Sequence, residues 1–205
     1  MTSSPRPYRG VSAQDRQSAR RRQLLDAALE IVGTRGAERA TMTAICVQAG
    51  LTERYFYESF SARDGLLLAL VDEIAEQVRA AVLAALRETE GDAEARARAA
   101  FSAFAALLTE DPRKGRAAII ESSTLPALRQ RRHELFGDFA ALVVTQAQAL
   151  FGPAALPAPQ DEIGALLLVG GLGELLTAWL QDETSAEVED IVDTATRWFT
   201  VGMHA

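Results

Sequence analysis

A chain of 205 residues that is 48% apolar and 24% charged has the length and make-up of a soluble globular protein with a sizeable core, which excludes global disorder. A single cysteine, Cys46, closes no disulfide within the chain, and two histidines, His133 and His204, offer no ligand cluster, so a cytoplasmic setting without metal or cofactor is expected. The formal charge of −7 argues against a polyanionic partner only until its distribution is read: residues 1–65 hold ten Arg against seven acids, whereas the rest of the chain is net −10.

The opening "MTSSPRPYRG" lacks the apolar core of a secretory signal, and the longest apolar run, Ile163 to Leu172, is too short to span a bilayer before Glu174 interrupts it; neither export nor membrane insertion is expected. Residues 1–17 read as a basic flexible arm, with Arg6, Arg9 and Arg16 followed by Arg20, Arg21 and Arg22 against the one acid Asp15. From about Gln17 to Thr34 an apolar stripe through Leu25, Leu29 and Val32 makes a first helix, with Gly36 placed for its C-terminus.

Thr41 is an N-cap for a short helix Met42 to Ala49, whose inner face is Met42, Ile45, Cys46 and Ala49 and which Gly50 ends. Thr52 is placed to cap a third helix reaching about Ser59, and Ser61 with Asp64 reads as a capping box opening a fourth, from about Ala62 to Arg87. Two short helices joined by a glycine turn, "TMTAICVQAGLTERYFYESF", have the spacing of a helix-turn-helix, in which the second helix presents its N-terminal residues to base edges. Phe56 and Phe60, four apart, face inward, while Tyr55 and Tyr57 lie on other faces.

The stretch "TMTAICVQAGLTERYFYESFSARDGLL", preceded by a helix ending in "GTRG", resembles the DNA-binding domain of the TetR (tetracycline-repressor-like) family of transcriptional regulators over residues 18–67. The resemblance implies phosphate contacts from Thr41, Thr43 and Tyr57, base-facing positions at Thr52, Glu53, Arg54 and Tyr55, and a cation near the DNA backbone at Arg63. Ser59 stands where the family commonly has histidine, which shortens any phosphate contact there. Arg54 replaces a position often small in the family; its guanidinium has the geometry to pair with guanine, and equally to contact a phosphate or pair with Glu53 or Glu58. The partners implied are a palindromic double-stranded DNA operator, a small-molecule effector and a second copy of the chain.

Further helices are expected at about Ala93–Thr109, Arg113–Ser122, Leu125–Phe151, Asp161–Gln181 and Ala186–Met203, the last opened by a Thr184/Glu187 capping box. The chain is therefore all-α, about nine helices: an arm (1–17), a three-helix DNA-binding domain (18–65) and a helical effector-binding and dimerisation domain (66–205). Phe101, Phe104, Leu108, Ile119, Phe136, Phe139 and Val143 stand on apolar faces suited to a ligand pocket or to ordinary core, and Glu121, Ser122, Ser123 and Thr124, between two apolar helices, read either as polar groups that orient an effector or as a solvent-facing turn. "IGALLLVGGLGELLTAWL" is apolar nearly all round, and Gly164, Gly170, Gly171 and Gly173 thin one side for close helix approach. With "VEDIVDTATRWFTVGM" it would form a four-helix bundle with a second subunit through Gly170, Gly171, Leu175, Trp179, Val192, Trp198 and Phe199.

An enzyme using the helical cavity is the competing class. No serine, histidine and acid set supports it: His133 lies in the Arg-rich "LRQRRHELF", His204 is next to last, and Cys46 reads as a small core hydrophobe. A ligand-independent DNA-binding activator is the third reading.

Overall fold

A computed structural model describes residues 12–204, and these are helical almost throughout. Helix α1 (Ala13–Arg35) starts four residues before the expected boundary because Ser12 and Asp15 close a reciprocal capping box, the Ser12 hydroxyl oxygen accepting the Asp15 N–H at 3.0 Å. The arm assigned to residues 1–17 is thus helical from Ala13; residues 1–11 lie outside the described residues. Helix α2 (Met42–Ala49) has the bounds read from sequence: Thr41 accepts the Ala44 N–H at 3.2 Å, and Gly50 takes the left-handed conformation at φ 65°. Helix α3 (Glu53–Tyr57) is shorter than expected, and Thr52 makes no side-chain cap.

Helix α4 (Arg63–Glu88) likewise opens without the expected Ser61/Asp64 box, since its N-cap is Ala62. Asp64 pairs instead with Arg63. The body continues with α5 (Ala93–Thr109), capped by Asp92, and the single turn α6 (Pro112–Gly115). Where one helix was expected over 113–122, α6 passes into a π-helical turn, Arg116–Ile120, and then a 3-10 turn, Glu121–Ser123. Helices α7 (Pro126–Phe151), α8 (Gln160–Leu180) and α9 (Val188–Gly202) complete the chain. The α9 capping box is Glu187 with Asp190, not Thr184 with Glu187.

Packing joins these elements into a small unit, α1 with α2, α3 and α4, and a bundle in which α4 lies on α5 and α7, α5 on α9, and α7 on α8. One hydrophobic cluster runs without a break from Leu24 in α1 through Phe56 and Leu66 to Leu108, Ile119 and Leu176. A smaller one gathers Ala97, Ala147, Ala165, Phe199 and Met203 between α5, α7, α8 and α9. Helices α7 and α8 are long and apolar enough to cross a membrane by length and composition; here they pack on one another.

Candidate DNA-reading surface and effector cavity

The aromatic stretch divides by depth. Phe56 is fully buried and Phe60 nearly so, their rings 5.9 Å apart, and together with Leu24, Ala28, Ile45 and Leu66 they form the core under α3. Fixing α3 from below leaves Thr52, Glu53, Arg54 and Tyr57 exposed, with Tyr57 58% accessible and packed edge-on against Phe56. Thr41 and Thr43 are exposed on α2, with the Thr41 hydroxyl already engaged as the cap.

Arginines of α1 stitch this surface together. The Arg20 guanidinium lies 4.4 Å from the Tyr55 ring centroid and 3.2 Å from Glu58, and Arg21 lies over the Phe60 ring. Tyr55 is consequently half-buried beneath a cation, whereas Arg54 is exposed and reaches Glu58 at 3.3 Å, the ion pair weighed as one of its alternatives. Such an exposed pair is weak, about 0.3–0.5 kcal/mol at this spacing, so it does not prevent Arg54 from exchanging a carboxylate for a DNA group.

Two expected phosphate contacts are placed differently. The Ser59 hydroxyl oxygen is buried without a hydrogen-bond partner, and Arg63 donates from Nε to the Ala40 carbonyl at 2.9 Å and from Nη2 to that of Ala37, so its guanidinium holds the turn before α2. Cys46 is buried on the inner face of α2, and burial, with Glu53 nearby, pushes its thiol above the ordinary range.

The seven pocket candidates converge. Phe101, Phe104, Leu108, Ile119, Phe136, Phe139 and Val143 all line one cavity of about 140 Å³ among α4, α5, α7 and α8, many times the space a single water needs. Sequence reasoning missed its α4 wall of Val71, Ile74, Val78, Val82 and Leu86, along with Arg132 and Gln146, the two polar side chains of the lining.

Glu121, Ser122, Ser123 and Thr124 are absent from that lining. The three hydroxyls donate to local carbonyls, Ser122 to Ala118 at 2.6 Å, Ser123 to Ile120 at 2.6 Å and Thr124 to Glu121 at 2.8 Å, which shapes the turn. Glu121 reaches across to the three-helix unit, where its carboxylate accepts the N–H of fully buried Ala37 at 2.8 Å. A second link joins the body to the same unit through α6 and α1: Arg113 bonds Asp111 through two nitrogens and Glu30 of α1 at 2.8 Å, which raises the Arg113 pKa and lowers that of Asp111. Gly33 permits this crossing, since a Cβ there would lie 2.4 Å from that of Arg113.

The bundle surface also resolves. Gly170, Gly171, Leu175 and Trp198 face outward, joined by Ile163, Leu166, Leu167 and Val201, whereas Trp179 is half-buried against the core. Val192 and Phe199, expected at a subunit seam, are buried instead: the period of α9 turns them inward, and Phe199 packs on Phe101 and Phe151. The four glycines separate in the same way. Gly164 and Gly173 face Met203 and Phe136 of their own chain, while Gly170 and Gly171 have open space where a side chain would project.

The description "Bacterial regulatory proteins, tetR family" matches residues 24–70, the unit built on Phe56 and its exposed helix. The HTH-type transcriptional regulator BetI of Escherichia coli is 40% identical over 84 residues, 40% of this chain and 43% of that protein, so the match spans less than half the length of the curated relative. Among solved structures, the fatty acid degradation regulator FadR from Bacillus halodurans superposes with a TM-score of 0.74 at 16% identity, covering 88% of this chain and 94% of its own. FadR from Bacillus subtilis, solved in complex with stearoyl-CoA, gives 0.74 at 19% over 89% and 99%. The multidrug binding protein EbrR, complexed with imidazole, gives 0.61 at 22% over 87% and 94%. At these identities the superpositions establish the all-α fold, and residues 24–70, which hold the helix-turn-helix, match the tetR family of bacterial regulatory proteins.

Proposed function

We propose that the protein is a cytoplasmic homodimeric repressor that binds a palindromic DNA operator through α2 and α3 and leaves it when a small molecule enters the cavity. The observation that carries this reading is the continuous hydrophobic cluster that joins the core under α3 to the wall of an apolar cavity. Two solved relatives of the same fold were captured with small molecules, stearoyl-CoA and imidazole, which supports an effector site in the body.

Exposed Thr52, Glu53, Arg54 and Tyr57 form the reading edge, Thr43 flanks it on α2, and Tyr55, Arg63, Thr41 and Ser59 support it from beneath or beside. One such helix reads few base pairs, so two are needed about 34 Å apart. The outward apolar stripe Ile163, Leu166, Leu167, Gly170, Gly171 and Leu175, with Trp198 and Val201 beside it, supports a four-helix seam of α8 and α9 with a second copy. Release is differential affinity between two arrangements of the recognition helices, with α4 as the lever and Glu121 as a latch on the α1–α2 turn.

Selection of random duplex DNA by the purified full-length protein, followed by sequencing, tests the reading. An enriched palindrome with binding that falls steeply as salt rises is expected. A folded dimer that retains no preferred sequence at low salt refutes it.

A further inference from the structure

The lining of the cavity is drawn out along two helices, and a single charged group stands at one end. Two contacts show that α4 and α7 run in the same direction along its walls: Arg131 meets Asp72 at 2.6 Å, and about two turns further on Arg79 lies over the Phe139 ring at 5.4 Å. The lining extends from Val71 to Leu86 on α4 and from Arg132 to Leu150 on α7. At 1.5 Å per residue each wall is over ~20 Å long. A lining drawn out over that length and apolar along it suits one flexible chain.

Apart from Gln146, every lining side chain except that of Arg132 is apolar. Arg132 stands at the end nearest the DNA-binding unit, level with Val71, Ala118 and Ile119. Its neighbour Arg131 is taken up by Asp72 and Glu134, but among the described residues Arg132 has no carboxylate partner, and its Nε is buried with no acceptor. The guanidinium carbon lies over the Phe136 ring, 4.2 Å from its centroid. Gly173 on α8 makes that position available, since a Cβ there would lie 2.8 Å from Phe136 Cζ and 3.8 Å from Arg132 Nη2. A fixed, partly desolvated guanidinium in an apolar wall is unfavourable until an anion meets its fork of donors, and a carboxylate fits that fork with two parallel hydrogen bonds.

We propose that the cavity binds a free aliphatic carboxylate, head group on Arg132 and unbranched tail running between α4 and α7 toward Leu150. This deepens the effector reading above and rests on it for its purpose. A nucleotide thioester would offer phosphates rather than a carboxylate at this end, where Arg131 is already paired with Asp72 and Glu134.

Calorimetry on the DNA-free full-length protein, with decanoate, 1-decanol, decylamine and decanoyl-CoA as probes, decides the matter. Decanoate is expected to bind at least about tenfold tighter than the other three, the scale of a charge-assisted pair. Arg132→Gln removes that preference while leaving 1-decanol within about twofold, and Arg132→Lys restores part of it; thermal melts of both variants check folding. Equal binding of all four probes, or decanoyl-CoA binding tightest with Arg132→Gln unaffected, overturns the proposal. An enriched operator without decanoate binding sinks this inference alone, whereas tight decanoate binding without an enriched operator sinks the repressor reading and leaves the site standing.

Discussion

Glu121→Ala cuts one of the two side-chain links between the helical body and the three-helix unit, the other being Arg113 with Glu30, while leaving both cores intact. In the wild type the carboxylate accepts the Ala37 N–H at 2.8 Å, and Ala37 is fully buried between α1 and α2. An unsatisfied buried amide costs about 1–3 kcal/mol. If exchange proceeds through local opening of the α1–α2 turn, the Ala37 amide should exchange about fivefold to about 150-fold faster, because each 1.4 kcal/mol is tenfold. Glu121→Gln keeps an oxygen acceptor and loses only the charge, so its effect should be the smaller. Hydrogen exchange read by NMR at Ala37, with α8 amides as internal reference, makes the comparison. Urea unfolding should show a lower midpoint with unchanged slope. An Ala37 amide that exchanges at the wild-type rate in folded Glu121→Ala would refute the latch.

On the reading edge, Tyr57→Phe should weaken all operator sequences alike, whereas Arg54→Ala should relax preference at one base position per half-site; uniform loss from both, measured by selection and sequencing, removes the base-reading role of Arg54. Leu167→Glu puts a charge in the middle of the outward apolar stripe and should shift sedimentation toward monomer, weakening operator binding without lowering helix content. Acidification tests Asp111, whose pKa is held down chiefly by its hydrogen bond from Arg113. A carboxylate with a lowered folded pKa contributes stability above its unfolded value of about 3.9 and loses it as pH falls through the folded value, so the wild-type advantage over Asp111→Asn in urea midpoint should be full at pH 7 and shrink below about pH 4.

Local signals were legible in the sequence and long-range ones were not. Thr41 and Gly50 bounded α2 to the residue, and the three- and four-residue spacing of Phe101, Phe104 and Leu108, and of Phe136, Phe139 and Val143, put all of them on the cavity. The same periodicity on α4 looked like ordinary core, because a wall and a core present one pattern. Arg132 was hidden in "LRQRRHELF", where a run of charge suggests a solvated face and nothing marks the one guanidinium that turns inward. Helix α8 is apolar nearly all round, so composition could not assign its glycines to two faces; only packing shows Gly173 against Phe136 and Gly171 toward solvent. Glu121 finds its partner 84 residues away, beyond the reach of any local pattern.

The cavity shares its walls with each element the proposed switch requires. Helix α4 contributes Val71 to Leu86 to the lining, while Leu66 and Leu67, one turn earlier, lie in the core that also holds Phe56. Ala118 and Ile119 form another part of the wall, and two residues later Glu121 grips Ala37. Two of the attachments of the three-helix unit therefore begin at the end of the cavity where Arg132 stands. Helix α8 supplies Val169, Leu172 and Gly173 from its inner face and presents Leu167 and Leu175 outward, so in the proposed dimer one helix is both cavity wall and subunit seam. A ligand that spreads α4 from α8 would then move each recognition helix relative to a seam that the partner holds fixed. Since packed cores resist continuous deformation, such a spread is transmitted as a rigid shift of the whole three-helix unit. That arrangement lets the reading edge keep its internal geometry and still lose the half-site spacing on which paired binding depends.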